Sequence, residues 1–169
     1  NNKKSIVDYI RQINTSNLKD SKEWKSTSKK VIKKQEEWNS IGFVPKESKI
    51  ELWTSYRSAC DTFFDAKKVF FDQQKEAFKF NKHLKTGLCK KAEKLLQNDN
   101  LNELTKEFVQ MQSEWKKIGS VQQGDEQYLW HRFQNACNTF FEKKKEYKKR
   151  IDSEKDTINY EKEDIIKSL

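Results

Sequence analysis

The sequence predicts an all-α protein. It reads as two tandem three-helix-bundle repeats with a period of about 77 residues, joined by a continuous long helix and followed by an acidic helical tail. Three observations carry this. The 169 residues include 1 Pro and 4 Gly, too few turn-formers for a fold of many short strands. Mean hydropathy is −1.10 with 36% charged residues, yet 11 Phe, 5 Trp and 5 Tyr must be packed, which narrow apolar stripes on helices with broad solvated faces allow. The third observation is an internal repeat. Trp38-Asn39-Ser40-Ile41-Gly42 recurs as Trp115-Lys116-Lys117-Ile118-Gly119, an offset of 77. The same offset carries Val44 onto Val121, Leu52-Trp53 onto Leu129-Trp130 and Ala59-Cys60 onto Ala136-Cys137. It also carries Thr62-Phe63-Phe64 onto Thr139-Phe140-Phe141 and Lys67-Lys68 onto Lys144-Lys145.

The first helix of each copy is short. Ile6, Ile10 and Ile13 share a face in one, and Leu84, Leu88 and Leu95 in the other. Upstream of Gln35 and Gln112 the register slips. Ile6, Tyr9 and Ile13 align best with Cys89, Ala92 and Leu96 at an offset of 83, which gives the first copy about six extra residues around 14–20. Asp20 with Glu23, and Asn100 with Glu103 after the turn Asn98-Asp99-Asn100, have capping-box spacing for the second helix. That helix carries Val31, Gln35 and Trp38, then Phe108, Met111 and Trp115, and Gly42 and Gly119 suit left-handed residues just past its end. The third helix starts near Ser48 and near Asp125. Leu52, Tyr56, Ala59, Phe63, Ala66 and Phe70 form one stripe, with Trp53, Cys60, Phe64 and Phe71 beside it, as a helix packed on two neighbours requires.

Nothing breaks the helix between Leu52 and Thr86, so the third helix of copy one runs into the first of copy two. The units are 1–82, 83–150 and an extension, 151–169. The extension holds three Lys and six acids, and Ile151, Ile158 and Ile165 give it a stripe too thin to bury much. Ile165, Ile166 and Leu169 read as the opening of a further repeat. An acidic tail could also fold back onto the basic bundles. The expected core is Trp38, Trp53, Phe63, Phe64, Trp115, Trp130, Phe140 and Phe141, with Trp24 as further packing.

The order Trp38, Ile41-Gly42, Leu52-Trp53 and Phe63-Phe64, repeated 77 residues on, resembles the bacterial domain-of-unknown-function family three-four-nine over residues 20 to 148. The proline after Ile-Gly-x-Val is present as Pro45, while Gln122 stands there in the second copy. The resemblance implies tandem helical units and a bacterial, cytoplasmic setting. It brings no catalytic residues and no agreed activity.

The residues offer little chemistry. The two histidines, His83 and His131, sit in no motif, and Cys60, Cys89 and Cys137 form neither a disulfide framework nor a C-x-x-C metal pair. Gly42, Gly87, Gly119 and Gly124 are scattered, so no phosphate-cradling loop is visible. The expectation is a protein that is not an enzyme, with no cofactor, metal, membrane or small-molecule substrate. Its leading role is an interaction scaffold or spacer in a larger protein, with another protein or further repeats as partner. The alternative is RNA, ribosome or DNA binding through lysine and arginine contacts to phosphate. The net charge of +9 supplies the candidates: Lys29, Lys30, Lys33, Lys34, Lys67, Lys68, Lys144, Lys145, Lys148, Lys149 and Arg150. Acids three or four residues away (Asp65 to Lys68, Glu142 to Lys145, Glu146 to Arg150) would instead make these a paired, solvated face.

Overall fold

The computed structural model describes residues 2–42, 46–98 and 100–167, with 46–48 described by backbone alone. Val44, Pro45, Asp99, Leu169 and the side chain of Ser48 therefore lie outside the described residues. The elements are α1 (Asn2–Arg11), a 3-10 turn (Thr15–Asn17), α2 (Ser21–Ser40), α3 (Lys46–Leu95), α4 (Leu101–Lys117) and α5 (Gln123–Lys167), with no strand among the described residues. The two long helices start 77 residues apart, each two residues ahead of the expected Ser48 and Asp125. α3 is continuous through the point where one repeat gives way to the next. Two compact units result, Asn1–Glu76 and Ala77–Leu169.

The first unit packs α1, α2 and the first half of α3. Ile6, Val7 and Ile10 of α1 are buried with Trp24, Val31 and Trp38 of α2 and Tyr56, Ala59, Cys60 and Phe63 of α3. Trp24 lies 5.6 Å from Phe63 and 5.5 Å from Phe70 between ring centroids, and it is buried as packing. α2 begins where it does because the Asp20 carboxylate accepts from the N–H groups of Lys22 and Glu23, both at 2.8 Å. Glu23 reaches back to the Lys19 N–H at 2.6 Å.

The second unit repeats this with the last part of α3, α4 and α5. Phe108 and Phe140 stack at 4.2 Å and 8°, both fully buried. Burying a ring of that size contributes roughly 2–3 kcal/mol. Asn100 occupies the cap position of α4 but makes no side-chain cap bond. Its ψ of 76° differs from the extended 166° of Asp20, and Asn98 instead accepts the Asn100 N–H at 3.1 Å.

Several expectations are corrected. No glycine among the described residues has positive φ, so Gly42 and Gly119 are not left-handed caps. The chain leaves α2 and α4 through extended Ile41 and Ile118, whose side chains pack against the two cores. A Cβ at Gly119 would sit 2.8 Å from the Asn81 amide nitrogen, which donates to the Ser120 carbonyl, so the Asn81 side chain would have to shift. Leu84 is exposed, and the face turned inward is Lys85, Leu88, Cys89 and Ala92. Ile6, Val7 and Ile10 therefore correspond to Leu88, Cys89 and Ala92, an offset of 82 rather than 83. The first copy's insertion is then five residues, in the loop that holds the 3-10 turn.

Trp53 and Trp130 are 50% and 44% exposed, so neither is core. Phe64 and Phe141 are partly buried, while Trp38, Phe63, Trp115 and Phe140 are buried as expected. The acidic tail does not fold back. It continues α5, and residues 152–167 are exposed along their whole length.

Candidate interaction surfaces

Each unit carries the same aromatic corner. In the first, Trp38 stacks on Tyr56 at 3.9 Å and 9°, Lys3 Nζ lies 4.9 Å from the Trp38 ring, and Trp53 stands 6.4 Å from Trp38 and 5.8 Å from Tyr56. In the second, Trp115 stacks on Phe133 at 4.5 Å and 7°, Lys85 Nζ lies 5.1 Å from Trp115, and Trp130 stands 6.0 Å away. The inner tryptophan is buried and clamped between a ring and an ammonium group. The outer one leans on it and presents about half its surface to solvent. A groove of about 260 Å³ opens beside Trp130, lined by Gln112, Trp115, Lys116, Phe133, Gln134, Cys137 and Asn138.

The thiols beneath these corners are free and buried. Gln35 Nε2 donates to Cys60 Sγ at 3.5 Å, and Cys89 Sγ donates to the Leu129 carbonyl at 3.5 Å. Burial pushes the Cys137 thiol up to about 11, against the opposing hydrogen bond of Gln112. Burial likewise raises Cys89, with Arg132 opposing, and pushes the Tyr56 hydroxyl up to about 12. A thiolate is the reactive form, and burial keeps the proton on Cys89 and Cys137.

Polar chemistry in the second unit is spent on holding helices together. The buried Lys85 pairs with Glu126 Oε1, while Glu126 Oε2 accepts the Val121 N–H at 2.8 Å. Burial raises the Glu126 carboxyl, but the bonds from Lys85 and Val121 prevail and hold it below its ordinary range. Arg132 grips Glu93 with two bonds of 2.6 and 2.7 Å, which holds Glu93 low and Arg132 high. Lys82–Asp125 at 2.9 Å and Lys91–Glu107 at 2.7 Å add exposed links between helices.

Lys29, Lys30 and Lys33 are exposed on α2, and Lys34 is half-buried against Glu37 at 2.6 Å and the Tyr9 ring at 5.4 Å. On α3, Lys67 is half-buried 5.9 Å from the Phe64 ring and Lys68 is exposed. On α5, Lys144 is half-buried and Lys145, Lys148, Lys149 and Arg150 are exposed. One helix thus brings together the last five candidates, with 144 and 148 on one face and 145 and 149 on the next. The pairs Asp65–Lys68, Glu142–Lys145 and Glu146–Arg150 do not form among the described residues. Arg150 turns to Glu154 at 4.0 Å and to the Tyr147 ring at 5.3 Å. Exposed long side chains gain too little from pairing to be held by it. Beside them a groove of about 560 Å³ is lined by Asn98, Leu101, Lys143, Glu146, Tyr147 and Arg150.

Two features escaped the residue pattern. Lys85 was unmarked because lysine is almost never buried unless paired. Its signal was available in the recurrence of Lys3 and Lys85 ahead of matching apolar residues. The Arg132–Glu93 clamp has no such signal, since Ser55 and Arg11 stand at the equivalent positions. Among the described residues no group of three or more His, Cys, Asp or Glu could hold a metal ion, and no helix is long and apolar enough to cross a membrane.

The family model described as Domain of Unknown Function (DUF349) matches residues 1–47, 51–124 and 128–169. Its second and third segments begin 77 residues apart, in the second turns of α3 and α5. No curated protein and no solved structure matches the chain.

Proposed function

The chain belongs to the DUF349 family, and we propose that it is a non-catalytic helical repeat module acting as an interaction scaffold or spacer in a larger bacterial, cytoplasmic protein. The observation behind this reading is the pair Trp53 and Trp130. Both are half-exposed at equivalent positions, and both lean on a buried, clamped tryptophan. A large ring held rigid at the surface loses little entropy when a partner covers it, which is why tryptophan is enriched among the residues that dominate interfaces. The partner is another protein or further repeats of the same kind. A photo-crosslinking amino acid at 53 or 130, irradiated in nuclease-treated bacterial extract, should give discrete protein adducts. Equal labelling from the exposed Val109 position would overturn the reading.

A second reading is binding to RNA, ribosome or DNA. It is favoured by Lys145, Lys148 and Lys149, exposed without an ion pair among the described residues. Anisotropy of labelled single-stranded RNA and duplex DNA at about 50 and 200 mM salt tests it. Phosphate contact predicts a steep loss of affinity with salt and a further loss in Lys144→Glu/Lys145→Glu/Lys148→Glu. No binding at the lower salt would remove it.

A further inference from the structure

We propose that the groove beside Trp130 docks an acidic segment of a partner protein, which seats one large apolar side chain against the ring and sets its carboxylates on Lys116, Lys145 and Lys148. This rests on the proposed role of the aromatic corners in protein interaction, and it names the partner's chemistry at one of them. The groove holds about 260 Å³. Small-molecule sites usually hold roughly 300–1,000 Å³, so this one suits a side chain better than a free ligand. Trp130 is 44% exposed and forms a wall, with Trp115 and Phe133 buried beneath it. Gln112, Gln134 and Asn138 also line it, and such neutral amides can both donate to and accept from a peptide backbone. Among the described lining residues the one charge is Lys116.

The same face continues along α5. Trp130, Gln134, Cys137, Phe141, Lys145 and Lys148 are spaced by threes and fours, and no acid falls among them. Lys145 and Lys148 are exposed without an ion pair among the described residues, and they stand about 22 and 27 Å along the axis from Trp130. The unit's own helices leave this face open. Arg132 and Lys143 leave α5 on the opposite side, toward Glu93 and the Leu96 carbonyl at the end of α3. A basic occupant would set like charges together, whereas an acidic one gains from all three lysines and is drawn in faster. A single strand of RNA could meet the same lysines and stack on Trp130. Phe141, between the ring and the lysines, offers its phosphates nothing, which favours protein.

The first unit differs at the equivalent positions. Asn39 stands for Lys116 and Phe71 for Lys148, while Arg57 and Asp61 stand for Gln134 and Asn138 and pair at 3.7 Å. With Lys68 the face of Trp53 carries one net positive charge, against three for Trp130. The acidic preference therefore belongs to the second corner.

Panning a displayed library of random 16-residue peptides on the full chain tests this. Retained peptides should carry net negative charge and at least one large apolar residue. Remade as synthetic peptides, they should lose affinity about thirtyfold or more on Trp130→Ala. They should lose about tenfold or more on Lys116→Glu/Lys145→Glu/Lys148→Glu, and less than about threefold on Trp53→Ala. The three lysines are exposed, so their reversal tests the groove even if Trp130→Ala disturbs the fold. Retained peptides that are neutral or basic, or affinity unmoved by the lysine reversal, would overturn the proposal. Retention of single-stranded RNA at Trp130 with no peptide retained would overturn it in favour of nucleic acid. Crosslinking from position 130 separates the two readings. Protein adducts that persist unchanged after lysine reversal keep the corner as a docking site and remove the acidic class, whereas no adducts at all remove both.

Discussion

Glu126→Gln should cost the second unit about 2 kcal/mol, and the arithmetic follows from who is buried. The Lys85 side chain is 4% exposed, and among the described residues its ammonium has one carboxylate partner, Glu126, and the Trp115 face. Removing one member of a fully buried pair costs about 3–5 kcal/mol, because the other charge is left in a poor solvent. The Glu126 side chain is 37% exposed, so water can approach the ammonium and the figure falls by about half. Glutamine keeps an oxygen for the Val121 N–H, so the substitution removes charge rather than that hydrogen bond. Lys85→Met should cost less, about 1 kcal/mol or under, since its stem still covers Trp115 and Glu126 can turn to solvent. The double variant should cost less than the sum, because neither charge is then stranded. Urea unfolding of the full chain, followed by circular dichroism and tryptophan emission, measures all three. A Glu126→Gln cost under about half a kcal/mol, or a Lys85→Met cost larger than it, would refute the reasoning.

Trp38→Ala should destabilise the first unit by about 3–5 kcal/mol and Trp53→Ala by about 1 or less, since only the first leaves a buried cavity. Thermal melts of the two should separate widely, and equal shifts would contradict the burial difference. Trp24→Phe should cost under about 1 kcal/mol, because the buried Trp24 Nε1–H has no acceptor among the described residues and phenylalanine removes that defect. A urea titration larger than that would point to an acceptor. A thiol reagent such as dithionitrobenzoate should label none of Cys60, Cys89 and Cys137 in the folded chain and all of them in denaturant; rapid native labelling would refute their burial. Stability should fall at both pH extremes. Glu93 and Glu126 are held low when folded, so the unfolded chain takes up their protons first, and stability drains as pH falls through their folded values. Tyr56 and Cys137 are held high, so their contribution is complete below 10.0 and 9.0 and is lost as pH rises beyond those values. Melting temperatures across pH should show the acid limb flatten in Glu93→Gln/Glu126→Gln, and an unchanged limb would refute the assignment.

The helical repeat was legible because an aromatic core imposes spacing on sequence. Phe63 and Phe140 must face inward at the same height, so the offset of 77 survives in the residues. Exposure at the edge of a stripe was not legible. Trp53 sits one residue past Leu52, about 100° around the helix, and only the position of α2 decides which side of that edge is covered. The register of α1 was misjudged because Tyr9 looks like core by composition and lies at the solvent rim, so that Val7 rather than Tyr9 matches a buried residue of α3. Spacing assigns the candidate lysines either to phosphate contact or to a paired, solvated face, and it does not mark Lys85. Their fates differ with neighbours that spacing does not reveal: Lys85 is buried against Trp115, Lys34 is bonded to Glu37, and Lys148 is exposed.

The long helices explain why the repeat is hard to cut into domains. The front half of α3 gives Tyr56, Ala59, Cys60 and Phe63 to one core, and its far end gives Leu88, Cys89 and Ala92 to the next. One helix therefore serves as the last of one bundle and the first of another, and the family match divides the chain in the second turns of α3 and α5 instead of between bundles. α5 follows the same plan only in its front half, where Leu129, Phe133, Ala136, Cys137 and Phe140 are buried. Its far half carries Lys162, Ile165 and Ile166 in water, 77 residues after Lys85, Leu88 and Cys89. Helix there is sustained by extension from an already formed segment, which adds one hydrogen bond per residue without a new nucleus. The far half of α5 thus bears, at exposed positions, the residue types that elsewhere in this chain close a bundle.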